Sequence, residues 1–137
     1  MIRELVHDPM FLAQKSETAT KEDLPIATDL IDTLNAHLDE CVGMAANMIG
    51  FKKNIIIVSA GIGHLIMINP QIISKKKPYN TEEGCLSLLG GPRKCKHFDE
   101  IEVSYLDMNW KPHKQKYNGW IAQIIQHEVD HLHGVLI

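Results

Sequence analysis

Apolar residues recur at three- and four-residue spacing in the first third of the chain. The positions are Leu24, Ala27, Leu30, Ile31, Leu34 and Leu38. Just before them, Thr20 and Asp23 resemble a capping box with Asp in place of the usual Glu or Gln. We therefore expect an amphipathic helix over residues 21–39, preceded by a mixed and irregular segment over residues 1–20.

Shorter apolar runs rich in β-branched residues predict a sheet. Residues 54–58 and 65–68 are two such runs, and the Ala-Gly-Ile-Gly stretch between them predicts a hairpin turn at 60–63. The polar stretch 75–81 predicts an exposed loop. Further strand candidates are 71–74, the alternating segment 101–106, and the weaker segment 114–117.

Apolar residues return at helical spacing near the end of the chain, and Gly119 should begin this second helix. Its apolar faces are Ile121, Ile124, Ile125 and Leu132. A helix, a set of strands and a final helix predict an α+β fold. We expect antiparallel or mixed sheets around a central C-terminal helix, with the N-terminal helix packed on them and residues 1–137 forming one domain.

Composition narrows the function classes. Apolar residues make up 45% and charged residues 23% of the chain, and the net charge of −3 argues against direct binding of nucleic acid. The sequence predicts neither a membrane span nor a signal peptide. Of the three cysteines, none forms a CxxC pair, so we expect a reducing, cytoplasmic setting.

The predicted last helix carries the sequence His-Glu-x-x-His. His127 and His131 are four residues apart, so both imidazoles should project from one face and could share a metal ion, with Glu128 beside them as a general base. The alternative is a helix with two surface histidines and a solvated glutamate. The preceding Trp120 and Ile121 favour a buried helix, in which such groups need partners.

A catalytic metal usually takes three protein ligands and leaves a position for water. His133 should face away, since it lies about 200° around the helix from His131. Six residues follow His131, so we expect the third ligand from upstream. The best candidate is Cys85, because a thiolate is a good ligand for zinc or iron and Gly84 allows close approach. The alternative for Cys85 is a small buried hydrophobe, which we expect for Cys41 and Cys95. Because Cys41 adjoins Gly43, the alternative for it is a position near the site without a role as ligand.

Three segments together resemble the peptide deformylase family. They are CVGMAANM at 41–48, EGCLS at 83–87 and QHEVDHL at 126–132, in the order and at the intervals of the family. The resemblance implies removal of the N-formyl group from N-formylmethionyl nascent peptides. It implies one divalent metal ion on Cys85, His127 and His131, with Glu128 as the acid and base. The metal is typically Fe²⁺, with Zn²⁺ or Ni²⁺ often substituting.

The resemblance also assigns the rest of the site. The Leu86 backbone N–H would stabilise the developing oxyanion, as main-chain donors do in acyl transfer. Val42, Gly43 and Gly84 would hold the peptide in extended, strand-like pairing. For the methionine side chain, Ile124 and Ile125 are candidate walls, although both also fit an ordinary core.

Two departures from the family pattern concern the site. Met48 stands where the family has a glutamine that helps to stabilise the oxyanion, and a thioether cannot donate a hydrogen bond. Asn47, the neighbouring residue, is a candidate replacement. A family arginine aligns with His97, with Arg93 a few residues earlier.

Two other functions remain open from the sequence. A degenerate homologue could keep the metal and bind a formylated or free N-terminus without turnover, which Met48 favours and Glu128 opposes. The second open function is that of a small metalloprotease, which the EGCLS segment at 83–87 disfavours. Ribosome association of the nascent-chain enzyme is a further open option.

Overall fold

The computed structural model describes residues 1–59, 63–85 and 88–137, with the backbone alone for residues 88–90. Most of the predicted turn at 60–63 and the predicted oxyanion donor Leu86 lie outside the described residues. Among the described residues, no helix is long and apolar enough to cross a membrane.

The N-terminal segment is less irregular than its sequence predicts. Pro9–Leu12 forms a single helical turn, α1, whose Asp8 carboxylate accepts a hydrogen bond of 3.0 Å from the Met10 backbone N–H. Proline suits the first helical position, because its missing N–H would have no partner there. Buried Leu12 anchors this turn to the body of the protein.

The amphipathic helix predicted over residues 21–39 is confirmed, although the regular α-helix begins later and ends earlier than predicted. A 3₁₀ turn, Lys21–Asp23, leads into α2, Leu24–Asn35. The Thr20 backbone N–H donates to the Asp23 carboxylate at 2.8 Å, one half of the expected capping box. Ala27, Leu30 and Leu34 are buried on α2, as the spacing predicts. Ile26 is buried in addition, whereas Leu38 lies beyond the helix and is exposed.

Five strands form one antiparallel sheet in chain order, so the antiparallel option is the correct one. The bounds are β1 Gly43–Ala45, β2 Ile55–Ser59, β3 His64–Cys85, β4 Leu88–Leu106 and β5 Pro112–Asn118. A short 3₁₀ turn, Ala46–Ile49, follows β1. Because β1 and β5 lie at the two ends of the strand order, no strand of the described residues pairs with the outer edge of β1.

The expected loop at 75–81 is wrong, because this stretch continues β3. Its residues pair with β4 in register, for example Lys75 with Ile101 and Thr81 with Cys95. Both faces are mostly solvent-exposed here, so pairing with β4 maintains the strand and no apolar alternation marks it. The long β3 is what carries Glu83 and Cys85 to the functional site.

The final helix, α3, spans Gly119–Leu132 and packs against β1, β2 and β4. Its start at Gly119 is confirmed, and Gly119 has a positive φ of 61°. Gly134 ends the helical segment with a φ of 78°, and a Cβ there would lie 2.3 Å from the Ala13 carbonyl oxygen. Gly134 therefore requires glycine, while the positive φ at Gly119 only favours it.

The prediction of burial along α3 is wrong at its first turn. Trp120 is 64% exposed, whereas Ile124 and Ile125 are buried. Trp120 lines a cleft and is not part of the buried core.

Candidate metal centre and active site

Helix α3 brings His127 and His131 together as their spacing predicts. Their Nε2 atoms are 3.0 Å apart, and their ring centroids are 4.7 Å apart in an edge-to-face arrangement. Both side chains are buried, and burial lowers the pKa of His131 to about 3, so its ring stays neutral. His133 is exposed on the other side, as expected.

Cys85 reaches the same point from the end of β3. One donor atom each from Cys85, His127 and His131 lies within 4.8 Å of the others. Ligands held about 2.0–2.3 Å from a tetrahedral metal lie about 3.3–3.8 Å from one another, so small shifts would suffice to bind an ion. A thiolate with two imidazoles is a donor set suited to zinc or ferrous iron. The three residues therefore fit a divalent metal.

Glu83 supports this cluster from β3. Its Oε1 accepts a hydrogen bond of 2.8 Å from Nδ1 of His127, which leaves Nε2 of that ring facing His131. Its Oε2 lies 2.8 Å from the amide nitrogen of Gln123 and 2.9 Å from Nδ1 of His97. Burial opposes the charge of Glu83, but these hydrogen bonds outweigh it and lower the carboxyl pKa.

Glu128 lies beside the histidines and is almost fully buried. Among the described residues, its Oε1 has no hydrogen-bond partner. Burial raises the pKa of this carboxyl to about 7, which suits a group that takes and returns a proton near neutral pH. Oε2 of Glu128 would be 3.0 Å from a Cβ placed on Gly43, so glycine provides the room for it.

A cleft of about 500 Å³ opens over the cluster. Val42, Gly43 and Gly84, the residues expected to bind substrate, all line it, together with Cys85 and Glu128. Of the two candidate walls for a methionine side chain, Ile124 lines the cleft, whereas Ile125 is fully buried in the core.

The edge strand β1 forms one side of the cleft. The Ser59 backbone N–H donates to the Val42 carbonyl at 2.8 Å, and Gly43 is paired with Val58. Bonded and non-bonded pairs alternate in an antiparallel ladder, so the polar groups of Gly43 point away from β2 to the open edge. Gly43 can thus pair with an extended peptide, whereas the Val42 carbonyl is already engaged within the sheet.

Sulfur atoms occupy this edge. The Cys41 thiol donates to the Gly43 carbonyl with an Sγ–O distance of 2.7 Å, and burial raises its pKa to about 12. Cys41 is half-buried, packs against the core and lines the cleft without belonging to the donor cluster, which fits the expectation that it lies near the site. Cys95 is also half-buried, away from the three clustered donors.

Met48 is buried next to the predicted metal position. Its Sδ lies 3.9 Å from Sγ of Cys85 and accepts a contact of 3.4 Å from the Ala45 backbone N–H. Asn47 does not replace the missing glutamine in this structure. Its side-chain amide nitrogen donates a hydrogen bond of 2.9 Å to the backbone carbonyl of His131 on α3.

Sequence reasoning missed the polar network behind the donors. Glu83, Gln123, His97 and Asp130 come from two strands and the last helix, and the sequence predicted no role for any of them. Two signals were present: Glu83 lies two residues before Cys85, and His97 aligns with a family arginine. Three clustered donors, a buried carboxylate beside them and an open cleft together define the class of metal-dependent hydrolases.

Comparisons with known proteins give the family within this class. The family model for polypeptide deformylase matches residues 2–137. The chain is 56% identical to a peptide deformylase of Clostridium beijerinckii over 137 residues, which cover 100% of both chains. It is 38% identical to peptide deformylase 1 of Clostridium perfringens over 113 residues, covering 81% of this chain and 76% of that protein.

The fold gives the same result. The crystal structure of a peptide deformylase from Thermotoga maritima matches with a TM-score of 0.88 at 28% identity, covering 99% of this chain and 95% of that one. The chain belongs to the polypeptide deformylase family. It is a metal-dependent enzyme that removes the formyl group of N-formylmethionine, and the comparisons give no support to a non-catalytic homologue.

Proposed function

We propose that Cys85, His127 and His131 hold one divalent metal ion in this enzyme and that Glu128 carries the protons of the reaction. The observation that supports this most is the convergence of the three donors within 4.8 Å beside a buried glutamate. We include residues 1–137 in one domain, because both walls of the cleft come from distant parts of the chain.

Ferrous iron is the metal we propose in the cell, with zinc or nickel substituting in purified protein. When bound, the metal would polarise the formyl oxygen and lower the pKa of a water molecule. The donor set supports each of these ions, because thiolate suits zinc and iron and imidazole suits all three.

The chain's own residues supply the remaining steps. Glu128 would take a proton from the attacking water and return it to the amine that leaves as the formyl carbon–nitrogen bond breaks. Gly43 would pair with the peptide backbone at the β1 edge, while Val42 and Gly84 line the walls that align it. For the oxyanion, we retain the Leu86 backbone N–H as the proposed donor.

The metal assignment is tested by Cys85→Ala in protein purified without oxygen. We expect the wild type to bind one metal per chain and to deformylate formyl-Met-Ala, and the variant to lose the metal. Cys95→Ala is the matched control, since its thiol lies outside the donor cluster, and it should keep one metal per chain. Full metal retention by Cys85→Ala would reject the assignment.

We propose N-formylmethionyl nascent peptides as the substrates, in the cytoplasm and near the ribosome. The free cysteines support a reducing compartment. Cosedimentation with ribosomes that carry formylated nascent chains tests the association. Equal sedimentation with and without ribosomes would remove that part of the proposal.

A further inference from the structure

His97 lies on β4 between two carboxylates and is only 3% exposed. Its Nδ1 is 2.9 Å from Oε2 of Glu83, and its Nε2 is 2.7 Å from Oδ2 of Asp130. An ionised carboxylate only accepts hydrogen bonds, so each ring nitrogen must carry a hydrogen to satisfy both contacts. A histidine with hydrogen on both nitrogens is a cation, here placed between two anions.

The two anions belong to the elements that carry the proposed metal ligands. The second oxygen of Glu83 accepts the 2.8 Å hydrogen bond from Nδ1 of His127. Asp130 lies on α3 between His127 and His131. One imidazole on β4 therefore connects the end of β3 to the helix that carries both histidine donors.

Glu83, Cys95 and His97 also lie close enough to suggest a second cation site. The hydrogen bonds argue against it. Both nitrogens of His97 face carboxylates and are donors, so neither offers a lone pair, and Sγ of Cys95 is 3.9 Å from Nδ1. The cluster is better explained as carboxylates with an internal cation than as ligands that need one.

We propose that His97 is a positioning residue: a buried cation that fixes the Glu83 carboxylate so that it orients His127 toward the metal. This rests on the metal assignment proposed above. Burial disfavours a charge at His97, but its hydrogen bonds to Asp130 and Glu83 raise its pKa to about 9. Without His97, the Glu83 carboxylate would lose the 2.9 Å hydrogen bond that holds its Oε2, and the Oε1 contact that orients the His127 ring would be less firmly fixed.

The test compares His97→Gln, His97→Arg and the control His113→Gln. His113 also pairs with a carboxylate, Asp107 at 2.8 Å, but on the exposed strand β5. The zinc dissociation constant is measured for each protein by competition with a chelator. Partners of histidine ligands typically change metal affinity by about 10- to 100-fold, and we expect a loss of that size for His97→Gln. His113→Gln should match the wild type.

His97→Arg should recover most of the affinity, because a guanidinium is a permanent cation with donors for both carboxylates. A purely space-filling role would not favour arginine over glutamine. Unchanged zinc affinity in folded His97→Gln, or equal affinities for the two variants, would overturn the proposal.

A second measurement holds even where His97→Gln fails to fold. Two-bond proton–nitrogen NMR correlations on the zinc-loaded wild type should show both nitrogens of His97 protonated at neutral pH. A neutral tautomer would overturn the inference. Failure of the proposed function would give a different result. The wild type would still bind zinc with an affinity that depends on His97, but no metal form of it would deformylate formyl-Met-Ala.

Discussion

The two walls of the cleft differ in how their polar groups are satisfied. On the wall made by β3 and α3, Glu83 pairs with His127, His97 and Gln123. On the wall made by β1 and its 3₁₀ turn, sulfur atoms of Cys41 and Met48 take the polar contacts. The difference teaches that charged hydrogen bonds hold the metal wall in place, while weaker sulfur contacts serve the substrate wall, and that this chain departs from the family pattern on both, at His97 and at Met48.

The largest effect should come from the metal wall, with Glu128→Ala. The account predicts loss of turnover by several orders of magnitude with the metal still bound, because Glu128 moves protons and does not ligate. The turnover rate is measured by deformylation of formyl-Met-Ala, and the bound metal is measured by metal analysis of the same sample. A near-native rate would show that another group is the base.

Gly43→Ala tests where the two walls meet. Its Cβ would lie 2.8 Å from Cγ2 of Ile124 and 3.0 Å from Oε2 of Glu128, so the carboxylate must move. We expect kcat to fall at least about tenfold, with a loss of about 1–3 kcal/mol in the free energy of unfolding. Gly63→Ala is the control, since a Cβ there meets no described atom within 4 Å. Equal kcat in both variants would contradict the close approach.

Met48→Gln tests whether the sulfur on the substrate wall limits the chemistry. A glutamine carbonyl could accept the Ala45 N–H that now meets Sδ, while its amide donates to the oxyanion. One such donor is worth up to about 3 kcal/mol, and the gain should appear mainly in kcat. Met48→Leu, which adds no donor, is the matched control.

The same series tests Asn47. Because its amide is committed to the His131 carbonyl, Asn47→Ala should affect folding stability more than kcat. An unchanged kcat in Met48→Gln together with a large loss in Asn47→Ala would place the donor on Asn47 instead.

The smallest effect should come from Cys41→Gly. The change frees the Gly43 carbonyl from the thiol, so a peptide strand could pair there without competition. A single net hydrogen bond is worth about 1 kcal/mol, so we expect KM to fall up to about fivefold with little change in kcat. A KM that rises would mean that the thiol assists peptide binding.

Local patterns account for what the sequence predicted well. The donors His127 and His131 follow from a four-residue spacing on one helix, and α2 follows from its apolar stripe. The strand at 75–81 was missed because a solvated strand needs only backbone pairing with β4 and leaves no apolar alternation.

The network around Glu83 could not be predicted for a different reason. His97 and Asp130 are 33 residues apart and meet only because α3 packs across β4. Nothing in the local sequence of either residue specifies this contact. The same holds for Cys41, whose contact with Gly43 depends on the conformation that precedes the edge strand.

X-ray absorption at the iron edge of protein purified without oxygen tests the central claim most directly. The account predicts one sulfur ligand at about 2.3 Å together with two imidazole nitrogens and lighter atoms from solvent. The sulfur shell should persist in Met48→Leu, whereas Cys85→Ala should lose the iron, and any iron that stays bound should show no sulfur ligand. A sulfur shell that survives Cys85→Ala, or a wild-type spectrum without sulfur, would contradict the assignment of Cys85, His127 and His131 as the metal ligands.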